Sequence, residues 1–222
     1  MIASRFLLVC SASSLILYSC SSTSNLPAYE FGNNYYTLRQ PGAKPMKVYV
    51  DISEDTMKVT PVGTNIATVE PSKSQVFIRP TFDVDILITL FKYRPATEGL
   101  PRQLTTDFSG NLFMGYRLDR FKITSVRTPA GSISKRTYHT GVSLGAFGGI
   151  GSTAVTPWTT AQGTMDEYTG LVLCRGFALM FGVNRLTVGI GIGRDYLTDR
   201  DKSIWIYQNK PWYGLNLSVN IN

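Results

Sequence analysis

Apolar residues alternate strictly with small polar residues along positions 213–221. The apolar set is Tyr213, Leu215, Leu217, Val219 and Ile221, and the residues between them are Gly214, Asn216, Ser218 and Asn220. Successive side chains of a β-strand point to opposite faces, so this pattern predicts one apolar face and one small, polar face. A soluble sheet usually carries Lys, Glu and Thr on its wet face, whereas an apolar outside around an interior of small residues is typical of a membrane β-barrel.

The same period of two predicts further strands upstream. Six strands are expected from Gln75 onward: the first begins at Gln75, and the others span about residues 108–126, 132–150, 168–183, 186–196 and 212–221. Lys47–Ile52 and Thr56–Val62 predict a hairpin, which is either the first barrel pair or a small periplasmic element. Counting this hairpin, the fold class is all-β: an antiparallel up-and-down transmembrane barrel of eight strands. Side chains fill the interior of a barrel of that size, so we do not expect a pore.

The connections between these strands alternate in length. Pro95–Asp107, Ser152–Glu167 and Leu197–Pro211 are long, while Pro129–Gly131 and Asn184–Arg185 are tight. Outer-membrane barrels have long extracellular loops and short periplasmic turns. With the C-terminus in the periplasm, every long connection is extracellular, and the N-terminus also lies on the periplasmic side.

Several charged residues fall on the predicted faces of these strands. Asp83, Asp85 and Arg117 have inward parity, and because buried charges need partners we predict that they form an ionic network inside the barrel. Parity puts Arg175 on the apolar outer face, where an arginine near the bilayer centre costs about 2–4 kcal/mol. A bulge, a misplaced strand boundary, a slipped register or a covering partner would each explain Arg175.

Residues 1–19 are predicted to be a signal peptide and are excluded from the fold. Arg5 precedes the apolar stretch Phe6–Tyr18, which is too short to cross a bilayer as a helix. The segment ends in Leu17-Tyr18-Ser19-Cys20, which resembles a bacterial lipoprotein signal, and this resemblance implies that Cys20 is acylated, for example with palmitate. Ordinary cleavage after Ser19 is the alternative. Residues 20–45 are expected to form a disordered periplasmic tether that joins Cys20 to a barrel domain over residues 46–222.

The composition agrees with a single barrel domain. The chain has 20 Gly, 12 Tyr and 11 Phe, and its charged fraction of 17% is below the roughly one quarter of a soluble domain. A net charge of +7 without aromatic-interleaved basic motifs favours anionic lipid over nucleic acid as a partner. With His139 as the only histidine and three cysteines at scattered positions, we expect neither a metal site nor a cofactor.

Basic residues flank the turn at Pro129–Gly131. This basic set consists of Arg120, Lys122, Arg127, Lys135 and Arg136. Both arms of the hairpin are longer than a bilayer requires, so we expect it to project into the periplasm. There the basic set is a candidate contact for lipid phosphates or for a protein partner, and a solvated hairpin is the alternative.

The sequence offers little catalytic chemistry. His139 and Ser143 share a face, but at about 3.3 Å per residue they lie about 13 Å apart along a strand, too far for a nucleophile–base hydrogen bond. Asp195, Asp199 and Asp201 alternate with Arg200 and Lys202, which favours an exposed charged loop over a cation site. An interfacial aromatic girdle is predicted from Trp158, Trp205, Tyr207, Trp212 and Tyr213.

Three segments carry a likeness to a known family: Phe82–Pro95 (FDVDILITLFKYRP), Trp205–Trp212 (WIYQNKPW) and the alternating Tyr213–Asn222. Over residues 75–222 the chain resembles small outer-membrane barrels of the OmpX and OmpA kind, and in particular barrels of Bacteroidota with a lipoprotein signal. The resemblance implies an architecture and brings no catalytic motif.

Three hypotheses for function follow. The first is a non-enzymatic outer-membrane β-barrel lipoprotein with a structural, adhesive or complex-accessory role, in contact with outer-membrane lipid and with lipopolysaccharide or another envelope protein as further candidate partners. The second is a lipid-anchored soluble barrel, similar to a lipocalin, that binds a hydrophobic ligand inside. The third is an outer-membrane lipid-modifying hydrolase.

Overall fold

Ten strands in one antiparallel sheet make up most of the described chain. The computed structural model of the protein describes residues 30–53, 56–63, 74–97, 99–127, 133–184 and 186–220. The strands are β1 (Asn34–Arg39), β2 (Met46–Ser53), β3 (Thr56–Pro61), β4 (Ser74–Arg94), β5 (Gln103–Thr105), β6 (Ser109–Arg127), β7 (Ile133–Val155), β8 (Tyr168–Val183), β9 (Leu186–Leu197) and β10 (Pro211–Asn220). Two short 3-10 helices, Trp158–Thr160 and Arg200–Ser203, lie between strands. The all-β, antiparallel class predicted from the alternation is confirmed.

The signal peptide, Cys20 and most of the tether lie outside the described residues. Within the described ranges, no helix has both the length and the apolar character needed to cross a lipid bilayer.

Six of the strands close into a ring. β4 pairs with β6, and the chain of neighbours continues through β7, β8, β9 and β10. β10 then pairs back onto β4, with Tyr213 opposite Tyr93 and Asn220 opposite Asp85. The prediction of eight strands is therefore not matched by this ring, because the hairpin over residues 47–62 lies outside it.

The first three strands form an extension at one edge of β4, here called the N-terminal module (β1–β3). β1 pairs with β4 over Val76–Ile78 and with β2 on its other side. Tyr36 and Leu38 of β1 are buried in an apolar core with Val48, Val50, Phe77, Phe121 and Ile123. The predicted lack of structure over residues 20–45 is wrong for Asn34–Arg39, because burying Tyr36 and Leu38 offsets the entropy lost in ordering the strand.

The N-terminal module and β10 share one edge of β4. The β10 ladder ends at Asp85 and the β1 ladder begins at Ile78, so the residues between them border neither strand. Pro80 lies in this interval, where the missing backbone N–H costs no ladder hydrogen bond on that edge.

The long connections all lie at one end of the ring, here called the loop end. Residues 95–108, 156–167 and 198–210 join β4 to β6, β7 to β8 and β9 to β10, and β5 lies within the first of them. The predicted order of long and short connections is confirmed. Strand β7 is longer than predicted, because it continues to Val155 rather than ending at residue 150.

Candidate functional site

The outward faces of the six ring strands carry exposed apolar side chains. Phe82 and Leu144 are each 63% exposed, whereas Asp83, the neighbour of Phe82 on β4, is 1% exposed. We call this outward surface the apolar belt; it includes Phe82, Ile86, Ile88, Leu112, Met114, Leu144, Phe177, Phe181, Leu186, Ile190, Ile192, Tyr213, Leu215 and Val219. Contiguous exposed apolar surface on this scale marks a contact with lipid or with another protein.

Charged side chains are buried on the inner side of the ring. Among the described residues the buried acidic side chains are Asp83, Asp85, Asp119 and Asp195, and the buried basic ones are Arg79, Lys92, Arg94 and Arg117. The two signs therefore balance, as burial of charge requires. These residues form two separate clusters.

The upper cluster lies toward the loop end around Asp195 of β9. The Asp195 carboxylate forms ion pairs with Lys92, at 3.1 Å, and with Arg94. It also accepts a 2.8 Å hydrogen bond from Nε1 of Trp212. The Nζ atom of Lys92 lies 4.9 Å from the centre of the Trp212 ring, so the ammonium also has a cation–π contact. One carboxylate thus links β4, β9 and β10.

The buried thiol of Cys174 lies beside this cluster. Oγ of Ser109 donates to its sulfur at 3.2 Å, and Nζ of Lys92 lies 3.6 Å from the same atom. The Cys174 side chain is buried, so both contacts lie within the interior of the ring.

The lower cluster lies nearer the N-terminal module and contains the predicted ionic network in part. Arg117 is 3.5 Å from Asp83 and 2.8 Å from Asp119, measured between side-chain nitrogen and carboxylate oxygen. Asp85 accepts a hydrogen bond from Ser218 of β10 and has no direct ion pair with Arg117. Arg117 is therefore shared between Asp83 and Asp119, and Asp119 takes the place in the network that was predicted for Asp85.

His139 and Ser143 bind different carboxylates in this cluster. Nε2 of His139 lies 2.7 Å from Oδ1 of Asp119, and the imidazole stacks on Phe121 with 4.7 Å between ring centres. The Ser143 hydroxyl donates to Asp83. Because each residue has its own partner, their arrangement is not that of a nucleophile and its base.

The connection over residues 198–210 folds back across the loop end of the ring. Trp205, Ile206 and Tyr207 are buried in a cluster with Val155, Val172, Cys174 and Leu197. Ile206 N donates to Thr159 O at 3.0 Å, which ties this connection to the one between β7 and β8. Arg94 stacks beneath it, 4.9 Å from the Tyr207 ring centre, and burial raises the pKa of the Tyr207 hydroxyl. This folded connection caps the interior.

The predicted aromatic girdle is wrong for three of its members. Trp205, Tyr207 and Trp212 are buried, while Trp158 and Tyr213 are exposed. Trp212 and Tyr213 are consecutive on β10 and therefore face opposite sides of the strand.

Members of the basic set share the outward face below the apolar belt. Arg120 and Lys122 on β6 and Arg136 on β7 are exposed. The turn at 129–131 and the side chains of Arg127 and Lys135 lie outside the described residues. The described part therefore brings three of the five basic residues onto one surface.

Arg175 points outward on an unslipped strand. Its ladder partners are Gly148 on β7 and Arg194 on β9, and Arg194 is exposed beside it. Nη2 of Arg175 donates to Oδ1 of Asn209 in the connection at the loop end, at 3.4 Å. Of the explanations considered for Arg175, a slipped register is excluded by the continuous pairing of β8.

Among the described residues, no group of three or more His, Cys, Asp or Glu side chains is placed so that it could hold a metal ion. Asp195 is buried in the upper cluster, Asp199 accepts from Leu171 N at 3.1 Å, and Asp201 accepts from the Tyr168 hydroxyl at 2.9 Å.

The chain matches no family model, no curated protein and no solved structure.

Proposed function

We propose that the protein is a non-enzymatic outer-membrane β-barrel lipoprotein with a structural, adhesive or complex-accessory role. The observation that carries this proposal is the inverted polarity of the ring. Apolar side chains such as Leu144 and Phe177 are exposed outside, while Asp83, Arg117 and Asp195 are buried inside. In water this arrangement would expose apolar surface, whereas in a bilayer the apolar belt contacts acyl chains and each backbone polar group is paired around the closed ring.

The dimensions of the apolar belt support a bilayer as its environment. On β7 the outward apolar run extends over residues 142–150. A tilted transmembrane strand needs about 9–11 residues, which agrees with this run. The exposed Arg120, Lys122 and Arg136 follow just beyond the belt, where they would meet lipid phosphates of the periplasmic leaflet.

The lipocalin-like alternative is less well supported. A soluble barrel that carries a hydrophobic ligand needs its apolar face inside. The inward residues of β4 and β6 instead include Asp83, Asp85, Arg117 and Asp119, all buried. Apolar ligands would meet charge in such an interior.

The closed loop end of the ring supports a role without catalysis. Trp205 and Tyr207 are buried in the connection that caps the interior, which leaves little access for a substrate from the loop end. The working surfaces would be the loop end, on the extracellular side, and the N-terminal module with its basic neighbours, on the periplasmic side. Cys20 would add an acyl anchor on that same side.

A Cys20→Ala protein tests this proposal, since it lacks the acyl anchor but keeps the ring. We expect it to remain in the membrane after high-salt and carbonate washing, to need detergent for extraction, and to migrate faster on gels without heating. An anchored soluble domain would instead be released into buffer by the same substitution. Full solubility of the exported Cys20→Ala protein would refute the membrane-spanning assignment.

A further inference from the structure

Two arginines interrupt the apolar belt at one place. Arg175 of β8 and Arg194 of β9 are direct cross-strand partners, and both are exposed. Like charges directly opposite each other on a sheet destabilise it. Neither arginine takes part in the ion pairs between described residues, and the acceptor found for Arg175 is the neutral Asn209 side chain.

The arginine pair lies near the loop end of the belt. Arg194 pairs with Pro211, the first residue of β10, and Asn209 belongs to the connection just before it. An outward arginine at the edge of a bilayer reaches the headgroup region with its long side chain, so the cost of its burial in lipid is small there. This position leaves the charge available to a ligand.

An apolar groove begins next to the arginine pair. It has a volume of about 560 Å³ and runs over the outer faces of β8, β9, β10 and β4. Next to the arginine pair, the outward residues of β8, β9 and β10 are Phe177, Ile192 and Tyr213, which line the groove. Ile192 is the ladder partner of both Phe177 and Tyr213. Two positive charges thus stand at one end of a groove lined by apolar side chains.

We propose that Arg175 and Arg194 bind the phosphate of a phosphorylated lipid of the extracellular leaflet, whose acyl chain occupies this groove. The proposal rests on the outer-membrane assignment above. Guanidinium groups bind phosphate through paired, charge-assisted hydrogen bonds, and one phosphate between two arginines removes their mutual repulsion. The groove supplies the apolar contact that a free phosphate ion could not use.

Lipid retention by the full-length protein tests the site. Detergent-solubilised protein in zwitterionic micelles is titrated with phosphatidic acid, and bound lipid is counted by native mass spectrometry. Diacylglycerol with the same chains tests the need for phosphate, and inorganic phosphate tests the need for the chains. We expect retention of phosphatidic acid, little retention of diacylglycerol and no displacement by inorganic phosphate.

Removing the two charges should weaken this retention selectively. The Arg175→Gln/Arg194→Gln protein should bind phosphatidic acid about tenfold more weakly, the effect of losing a charge-assisted hydrogen bond. The matched control is Lys44→Gln/Lys58→Gln, which removes two exposed charges from the N-terminal module, away from the groove, and should change binding by less than about twofold. Equal loss in both double variants, or displacement by inorganic phosphate, would overturn the proposal.

Folding of each variant is checked by its heat-modifiable migration. If the double glutamine variant does not fold, Arg194→Gln alone carries the same expectation. The outcome is separate from that of the Cys20→Ala experiment, because a protein that needs detergent but binds phosphatidic acid equally with and without the arginine pair would refute the lipid site and leave the membrane assignment intact.

Discussion

Trp212 Nε1 donates a 2.8 Å hydrogen bond to Oδ1 of Asp195 inside the ring. Trp212 belongs to β10, the strand that closes the ring against β4, and Asp195 belongs to the neighbouring β9. The same carboxylate pairs with Lys92 and Arg94 of β4. The seam between β4 and β10 is therefore joined by side chains as well as by its backbone ladder.

Replacing Asp195 by Asn should strongly destabilise the protein. The change leaves Lys92 and Arg94 buried without their counter-charge, and removing one partner of a buried ion pair costs about 3–5 kcal/mol. The loss is measured as a lower urea midpoint for unfolding in lipid or detergent, followed by the change in gel migration.

Asp166→Asn is the matched control for Asp195→Asn. Asp166 pairs with Arg200, and both side chains are more than half exposed, at 62% and 66%. Exposed pairs contribute about 0–1 kcal/mol, so this variant should unfold close to the wild-type midpoint. Similar midpoints for the two aspartate variants would contradict the importance assigned to the upper cluster.

The upper cluster was not predictable from parity because β4 contains a bulge. Leu215 pairs with Phe91 while Asn216 pairs with Thr89, so Leu90 is an extra residue on β4. Strict alternation from Phe82 would turn Lys92 and Arg94 outward, but the extra residue reverses the faces and both are buried. Before the bulge, parity correctly predicted the buried Asp83 and Asp85.

Other differences from the sequence predictions arise from contacts distant along the chain. The strand Asn34–Arg39 is ordered by a core that includes Phe77 and Phe121, and a short segment rich in polar residues gives no local sign of this. Trp205 and Tyr207 similarly follow a charged stretch, and only the cap over the loop end explains their burial. The alternating strands and the order of their connections were predictable because they depend on local pattern alone.

Gly145→Ala should disrupt the ring, whereas Gly148→Ala should not. A Cβ at Gly145 would lie 2.2 Å from the backbone oxygen of Met114, while at Gly148 the nearest atom would be 3.8 Å away. Both glycines are on β7, so the comparison keeps the strand and the substitution constant. We expect Gly145→Ala to cost about 1–3 kcal/mol through overpacking and Gly148→Ala to cost little. Folded yield in lipid vesicles measures both, and equal yields would contradict the close strand approach at Gly145.

The N-terminal module should lose stability at high pH through Tyr36. Burial raises the pKa of its hydroxyl, which donates to Gly32 O at 2.9 Å. Because the pKa of Tyr36 is higher in the folded protein, the stabilisation from its hydroxyl is fully present below the unfolded pKa of 10.0. This stabilisation is lost as the pH rises through the folded pKa. Tyr36→Phe should therefore cost about 1 kcal/mol at neutral pH but remove this part of the alkaline loss.

Tyr35→Phe is the control for the alkaline loss, because Tyr35 is the adjacent residue and is 63% exposed. Removing the Tyr35 hydroxyl should leave the pH dependence of the module's stability unchanged. The measurement is hydrogen exchange of β1 and β2 in short pulses, at neutral pH and above pH 10. Identical alkaline behaviour of wild type and Tyr36→Phe would show that another group controls it.

Leu38→Ala should open the N-terminal module without opening the ring. Leu38 is 1% exposed in the core of the module, and truncating such a leucine costs about 2–5 kcal/mol. β1 joins the ring only along Val76–Ile78 of β4 within the described ladders, so the loss should stay local. Hydrogen exchange should quicken over residues 34–53 and remain slow over residues 186–220, with heat-modifiable migration retained.

Met46→Ala provides the matched control, since Met46 is the ladder partner of Leu38 but is 37% exposed. Its exchange should stay close to that of the wild type, because truncating a partly exposed side chain at the strand end leaves no cavity. If Leu38→Ala instead accelerated exchange equally in the module and in β9–β10, the two parts would unfold as one unit. Closure of the ring would then depend on the N-terminal module, contrary to what the pairing of β10 with β4 indicates.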